Sequence, residues 1–115
     1  MDGHKQRNSQ SLFQQMSLIR DREFIQQLKA DYRQILLEYF TNDIIVKKLI
    51  DRFSKVVFDA KVPAAQIIEI HMELIDEFSK QLKLEGRNDE VLLDYRLTLI
   101  DVLAHLCEAY RTSIS

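Results

Sequence analysis

Little in this sequence lends itself to chemistry on its own. Cys107 is the one cysteine, so neither an internal disulfide nor a cysteine-rich zinc site can be assembled. Two glycines and one proline in 115 residues exclude a glycine-rich phosphate loop and argue against a β fold with many tight turns. Tryptophan is absent. No apolar run approaches the roughly 20 residues of a membrane span, and the opening MDGHKQRNSQ is too polar for a signal peptide. Neither sign of charge dominates. Sixteen basic against 18 acidic side chains leave a formal net charge of -2, without the clustered Lys and Arg of a nucleic-acid footprint. What remains is one soluble, cytoplasmic domain, 46% hydrophobic and 30% charged, that binds neither nucleic acid nor membrane.

What the chain does have is helical periodicity. Residues 1–20 read as a polar tail and a short amphipathic arm, in which Leu12, Phe13, Met16 and Ile19 return at helical spacing. Residues 21–115 read as a helical bundle, with room for part of that arm to join it. A first long helix is predicted from about Asp21 to Phe40, with Phe24, Leu28, Tyr32, Ile35, Leu36 and Tyr39 on its apolar side. Thr41-Asn42-Asp43 offers capping oxygens for a second helix from about Ile44, whose apolar face is predicted at Ile45, Leu49, Phe53, Val56 and Val57. The stretch Lys55 to Val62 is β-prone and blurs the end of that helix.

Pro63 suits the first position of a third helix, Ala64 to Leu84. Ile67, Ile68, His71, Leu74, Ile75, Phe78 and Leu82 share its apolar face, with Glu69, Glu73, Asp76, Glu77 and Lys80 on the solvent side. Gly86 fits a helix C-cap. Asn88-Asp89-Glu90 then opens a last helix to about Arg111, with Leu92, Tyr95, Leu99, Leu103, Leu106 and Tyr110 as its apolar stripe. Four amphipathic helices with short links predict an all-α, four-helix bundle.

Few side chains are candidates for function. His71, amid the apolar face of the third helix, reads as a core histidine. His105 lies opposite the apolar stripe of the last helix, with Asp94, Thr98, Asp101, Glu108 and Thr112. Asp101 and Glu108 both come within its reach along the helix. Cys107 sits about 200° around the helix from His105, so the two form neither a metal pair nor a nucleophile–base pair, and it reads as a small buried residue. No metal-ligand motif and no catalytic constellation is present, so no catalytic residue, metal or cofactor is expected and the chain reads as a binding or regulatory module rather than an enzyme.

Three long segments carry a resemblance. They are Lys29-Ala-Asp-Tyr-Arg-Gln-Ile-Leu-Leu-Glu-Tyr-Phe40, the run Ile67-Ile-Glu-Ile-His-Met-Glu-Leu-Ile-Asp-Glu-Phe-Ser-Lys-Gln-Leu82, and the run from Leu92 through Ala104-His-Leu-Cys-Glu108 to Arg111. Over about residues 21 to 112 the chain resembles the C-terminal domain of KaiA, the cyanobacterial circadian clock family. It has no room for the N-terminal pseudo-receiver domain of long KaiA chains and resembles the short forms, or a truncated form. The resemblance implies a four-helix bundle that forms a homodimer and binds the C-terminal tail of the hexameric kinase and ATPase KaiC. It implies stimulation of KaiC autophosphorylation, with KaiB on KaiC sequestering the activator, and no catalysis by the chain itself. It places the functional histidine of the dimer's concave surface at His105, and further partner-facing positions at Glu73, Lys83 and Glu108. The competing reading is a generic homodimeric helical adaptor, such as a histidine-phosphotransfer dimerisation domain. Leu106 rather than an acid follows His105, and no ATP-binding signature accompanies it.

Overall fold

Start and stop signals divide the chain into four helices. A computed structural model describes the backbone of residues 2–114 and the side chains of residues 20–114. Helix α1 runs Asp2–Glu38, α2 Asp43–Asp59, α3 Ala64–Leu84 and α4 Arg96–Ile114, with a 3-10 helix at Glu90–Tyr95 before α4. The described residues contain no strand, and the all-α, four-helix expectation is met.

Helix α1 has 37 residues, about 55 Å at 1.5 Å per residue, against 17, 21 and 19 in the others. It corrects the expected start near Asp21: the helix is continuous from Asp2, so no helix boundary separates an arm from the bundle at residue 20. The apolar positions Leu12, Phe13, Met16 and Ile19 lie outside the described side chains. Further along, Leu28, Tyr32, Ile35 and Leu36 are buried, as their spacing predicts.

The links show why each helix stops. The Asn42 side chain accepts from the Ile45 amide at 3.2 Å, with extended backbone at Asn42, and this is the N-cap of α2. At the other end, the Val62 amide bonds Val57 O and the Lys61 amide bonds Phe58 O, at 3.0 and 3.1 Å. This is a Schellman motif, and Lys61 occupies its left-handed position at φ 56°. Val62 just after it and Val57 three residues before the cap are both buried, the usual apolar pair of this motif. The β-prone segment thus stays helical through Asp59. Pro63 is the N-cap of α3 (φ -64°, ψ 145°), one residue before the predicted position. A second Schellman motif ends α3, with Arg87 N–H on Leu82 O and Gly86 at φ 71°. Asn88 Oδ1 accepts from the Glu90 amide at 2.9 Å. The turn it opens is the 3-10 helix Glu90–Tyr95 and not the start of α4, so the expected single helix from Asn88 is corrected.

In the core, α2 packs on α1 and α4, and α3 on α1 and on the 3-10 helix with α4. These neighbours rotate the predicted faces. On α2 the buried stripe is Val46, Ile50, Phe53 and Val57, while Ile45 and Val56 are 44% and 37% exposed. On α3, Ile67, Ile70, His71 and Leu74 are buried and Ile68 is exposed. On α4, Thr98, Val102 and Leu106 are buried, Leu99 and Leu103 are half-buried, and Tyr110 and Cys107 are exposed. The helical period puts Thr98 on the polar side and Cys107 inside; the fold reverses both. Helices with apolar residues around most of their circumference have no unique inner face until their neighbours are placed.

Candidate functional site

The side of α4 that carries His105 is not a free polar face. It packs along α2 and leaves a groove of about 330 Å³ lined by Asp51, Ser54, Lys55 and Phe58 from α2 and by His105, Glu108, Ala109 and Thr112 from α4. His105 stands half-buried between the two helices. Its Nδ1 lies 2.8 Å from the backbone oxygen of Asp101, one turn earlier. A carbonyl can only accept, so Nδ1 carries the hydrogen and donates it. In the neutral ring Nε2 is then an acceptor, and it faces Asp51 Oδ1 across the groove at 3.7 Å.

The Asp101 carboxylate also stands against His105, 3.3 Å from Nδ1. From the other side it accepts a hydrogen bond from the Tyr39 hydroxyl of α1 at 3.3 Å. Burial, and then the charge of Asp101, push the Tyr39 hydroxyl above its ordinary value, so it keeps the proton it donates. Three helices therefore converge on one histidine: α4 carries it, α2 opposes it, and α1 steadies its carboxylate neighbour.

The five sequence-derived site residues divide. His105 and Asp101 are in contact and Glu108 lines the same groove, but its carboxylate is held by Arg111 one turn on rather than by His105. Glu73 and Lys83 stand on α3 with other partners. Glu73 pairs with Lys29 of α1 at 3.3 Å, beside the shorter Lys29–Glu77 and Arg33–Glu77 pairs at 2.9 and 2.7 Å. Lys83 stands 3.9 Å from Asp89, which also accepts from Ser79. The acids on the outer side of α3 are thus in part a clamp onto α1. Asp51, Ser54 and Tyr39 escape a reading of the sequence as site residues. Their placement depends on which faces of α1, α2 and α4 meet, and nothing local in Ile50-Asp51-Arg52 marks it.

His71 is a core histidine, as predicted. It is 3% exposed, and its Nδ1 is 2.6 Å from the hydroxyl of Tyr32, itself fully buried. Burial pushes the imidazole below its ordinary value and the phenol well above its own. Tyr32 therefore stays protonated and donates to Nδ1. Among the described residues no group of three or more His, Cys, Asp or Glu side chains is arranged to hold a metal ion. No described helix is long and apolar enough to cross a membrane.

Several large apolar side chains lack a cover. Leu93, on the 3-10 helix, and Leu97 and Ile100, on α4, are 57%, 52% and 62% exposed, and Met72 of α3 is 61% exposed. Leu93, Leu97 and Ile100 stand at i, i+4 and i+7, the spacing of one helical face.

Comparison with known proteins decides the family. The sequence pattern of the KaiA C-terminal domain matches residues 2–115. The chain belongs to the KaiA family. The circadian clock oscillator protein KaiA of Nostoc sp. is 71% identical over 90 residues, 78% of this chain and 88% of that protein. The KaiA of Thermostichus vulcanus is 53% identical over 108 residues, 94% of this chain but 38% of that protein. The chain thus spans most of one KaiA relative and little over a third of the other. Its fold matches the crystal structure of KaiA from PCC7120 with a TM-score of 0.72 at 62% identity, over 82% of this chain and 96% of that one. It matches the C-terminal domain of KaiA from Thermosynechococcus elongatus BP-1 with the same TM-score at 56% identity, over 79% and 86%. The all-α bundle is therefore a KaiA C-terminal domain fold, and the chain is a circadian clock family member.

Proposed function

We propose that this chain acts as a non-catalytic clock activator in the cytoplasm. As a homodimer it binds the C-terminal tail of KaiC and stimulates KaiC autophosphorylation, and KaiB bound to KaiC opposes it by sequestering the dimer. The observation that carries this reading is the α2–α4 groove: a half-buried histidine, oriented by a backbone carbonyl, beside acids from two helices. Such a groove holds an extended peptide by polar contacts without any reacting group. His105, Asp101 and Glu108 are assigned to the groove, with Glu73 and Lys83 as outlying contacts. A tail that alternates between buried and exposed states is drawn toward the exposed state by a dimer that binds only that state. Ordering a mobile segment costs entropy, which keeps affinity moderate and release fast enough for an oscillator.

The homodimer draws support from the exposed Leu93, Leu97 and Ile100 face, which a second copy would cover. Phosphotransfer at His105 is the weaker reading, because Leu106 rather than an acid follows it and the sequence carries no ATP-binding signature. The deciding experiment measures KaiC autophosphorylation over time with and without the dimeric chain. A clear rise supports the activator. A folded dimer that gives no rise overturns it and moves the adaptor reading ahead.

A further inference from the structure

The groove contains a mismatch. With Nδ1 committed to the Asp101 carbonyl, Nε2 of the neutral ring is an acceptor, and the atom it faces at 3.7 Å, Asp51 Oδ1, is also an acceptor. In that neutral form two acceptors oppose each other with no protein donor between them among the described residues, whereas in the imidazolium form Nε2–H would itself face Asp51. The Asp51 side chain is 71% exposed, and no other described residue pairs with it. The wall beside them includes Ser54, only 6% exposed, whose Oγ is buried without a hydrogen-bond partner among the described residues. Phe58 and Ala109 supply apolar wall for an alkyl stem, while Glu108 is already engaged by Arg111 and Lys55 stands on the same lining.

We propose that Asp51 and the Nε2 atom of His105 together form a cation clamp, which takes one arginine or lysine side chain of the segment bound in the groove. Asp51 is thereby a specificity-determining residue on α2. This rests on the reading of the groove as the site of the KaiC tail. A cationic N–H group placed between the two atoms donates to both, and the charge-assisted bond to Asp51 is the stronger of the two. An exposed carboxylate gains little from a solvated cation. It gains more once the peptide excludes water from the groove, so the clamp discriminates between segments of similar shape.

The test uses a fluorescently labelled peptide of the KaiC C-terminal tail and the full chain, with binding read by anisotropy. Asp51→Asn is expected to weaken binding about tenfold, the usual scale for a lost charge-assisted hydrogen bond. Asp51→Glu should retain most of the affinity. The double variant Asp51→Asn/His105→Ala should lose much less affinity than the product of the single losses predicts, because the two residues hold one group. Neutralising one basic residue of the peptide (arginine to citrulline, lysine to norleucine) should reproduce the loss, and Asp51→Asn should then add nothing. The clamp is overturned if the unaltered chain binds the tail and Asp51→Asn binds it equally well. It is overturned equally if every neutralised peptide still loses affinity on Asp51→Asn. An unaltered chain that does not bind the tail overturns the groove reading itself, and the clamp with it. Circular dichroism of each variant identifies one that has failed to fold, and Asp51→Ser then replaces Asp51→Asn.

Discussion

The two described histidines show how one side chain type serves opposite ends. His71 is sealed into the core with Tyr32, and each satisfies the other. Replacing Tyr32 by phenylalanine leaves the buried Nδ1 without its donor and should cost about 1–3 kcal/mol in urea denaturation. Burial holds the His71 imidazole neutral below its ordinary value of 6.5. The unfolded chain therefore takes up a proton at a higher pH than the folded one. The stability His71 contributes is complete above pH 6.5 and is lost as the pH falls from there through the folded value. Urea midpoints measured at neutral and mildly acidic pH should fall with acidification, and the fall should be smaller in His71→Gln. His105, by contrast, is open to a groove. His105→Ala should weaken KaiC tail binding about tenfold and leave circular dichroism and sedimentation unchanged. A variant that unfolds or becomes monomeric would make His105 a structural residue instead.

At the scale of the element, the two Schellman turns differ in one respect. Gly86 takes its left-handed conformation at no steric cost, whereas Lys61 holds φ 56° with a Cβ. Lys61→Gly should therefore stabilise the fold by up to about 1 kcal/mol, and Gly86→Ala should destabilise it by about the same. Nothing stands within 4 Å of a Cβ placed at Gly86, so the penalty there is one of backbone conformation alone. Asn42→Ala removes the oxygen that caps α2 at Ile45 and should cost about 1 kcal/mol. Thermal denaturation of the three variants side by side orders them: Lys61→Gly above the parent, the other two below it.

For the whole molecule, the exposed large apolar side chains stand out. Leu93, Leu97, Ile100 and Met72 are all more than half exposed, beside a core whose own apolar side chains are under cover. A second copy placed there would turn this face into an obligate interface of the apolar kind. Leu97→Asp with Ile100→Asp should then shift sedimentation from dimer to monomer without loss of helical signal, since neither residue packs in the core. A dimer that persists unaltered would assign the interface to another face.

The sequence alone determined what depends on near neighbours. The helical class of the fold, a cap within Thr41-Asn42-Asp43, the Gly86 stop and the burial of Leu28, Tyr32, Ile35, Leu36 and His71 all come from spacing and short-range hydrogen bonding. So did the family, because long ungapped segments such as Leu92 to Arg111 record it directly. Tertiary structure decided the rest. Thr98 went inside and Cys107 outside because α4 is apolar around much of its circumference, and docking against α2 selects one side. Asp51 meets His105 only once α2 and α4 lie together, across more than 50 residues of intervening chain. A helical period reports the faces a helix can offer; which of them is buried depends on the free energy of packing against partners that lie far away in sequence.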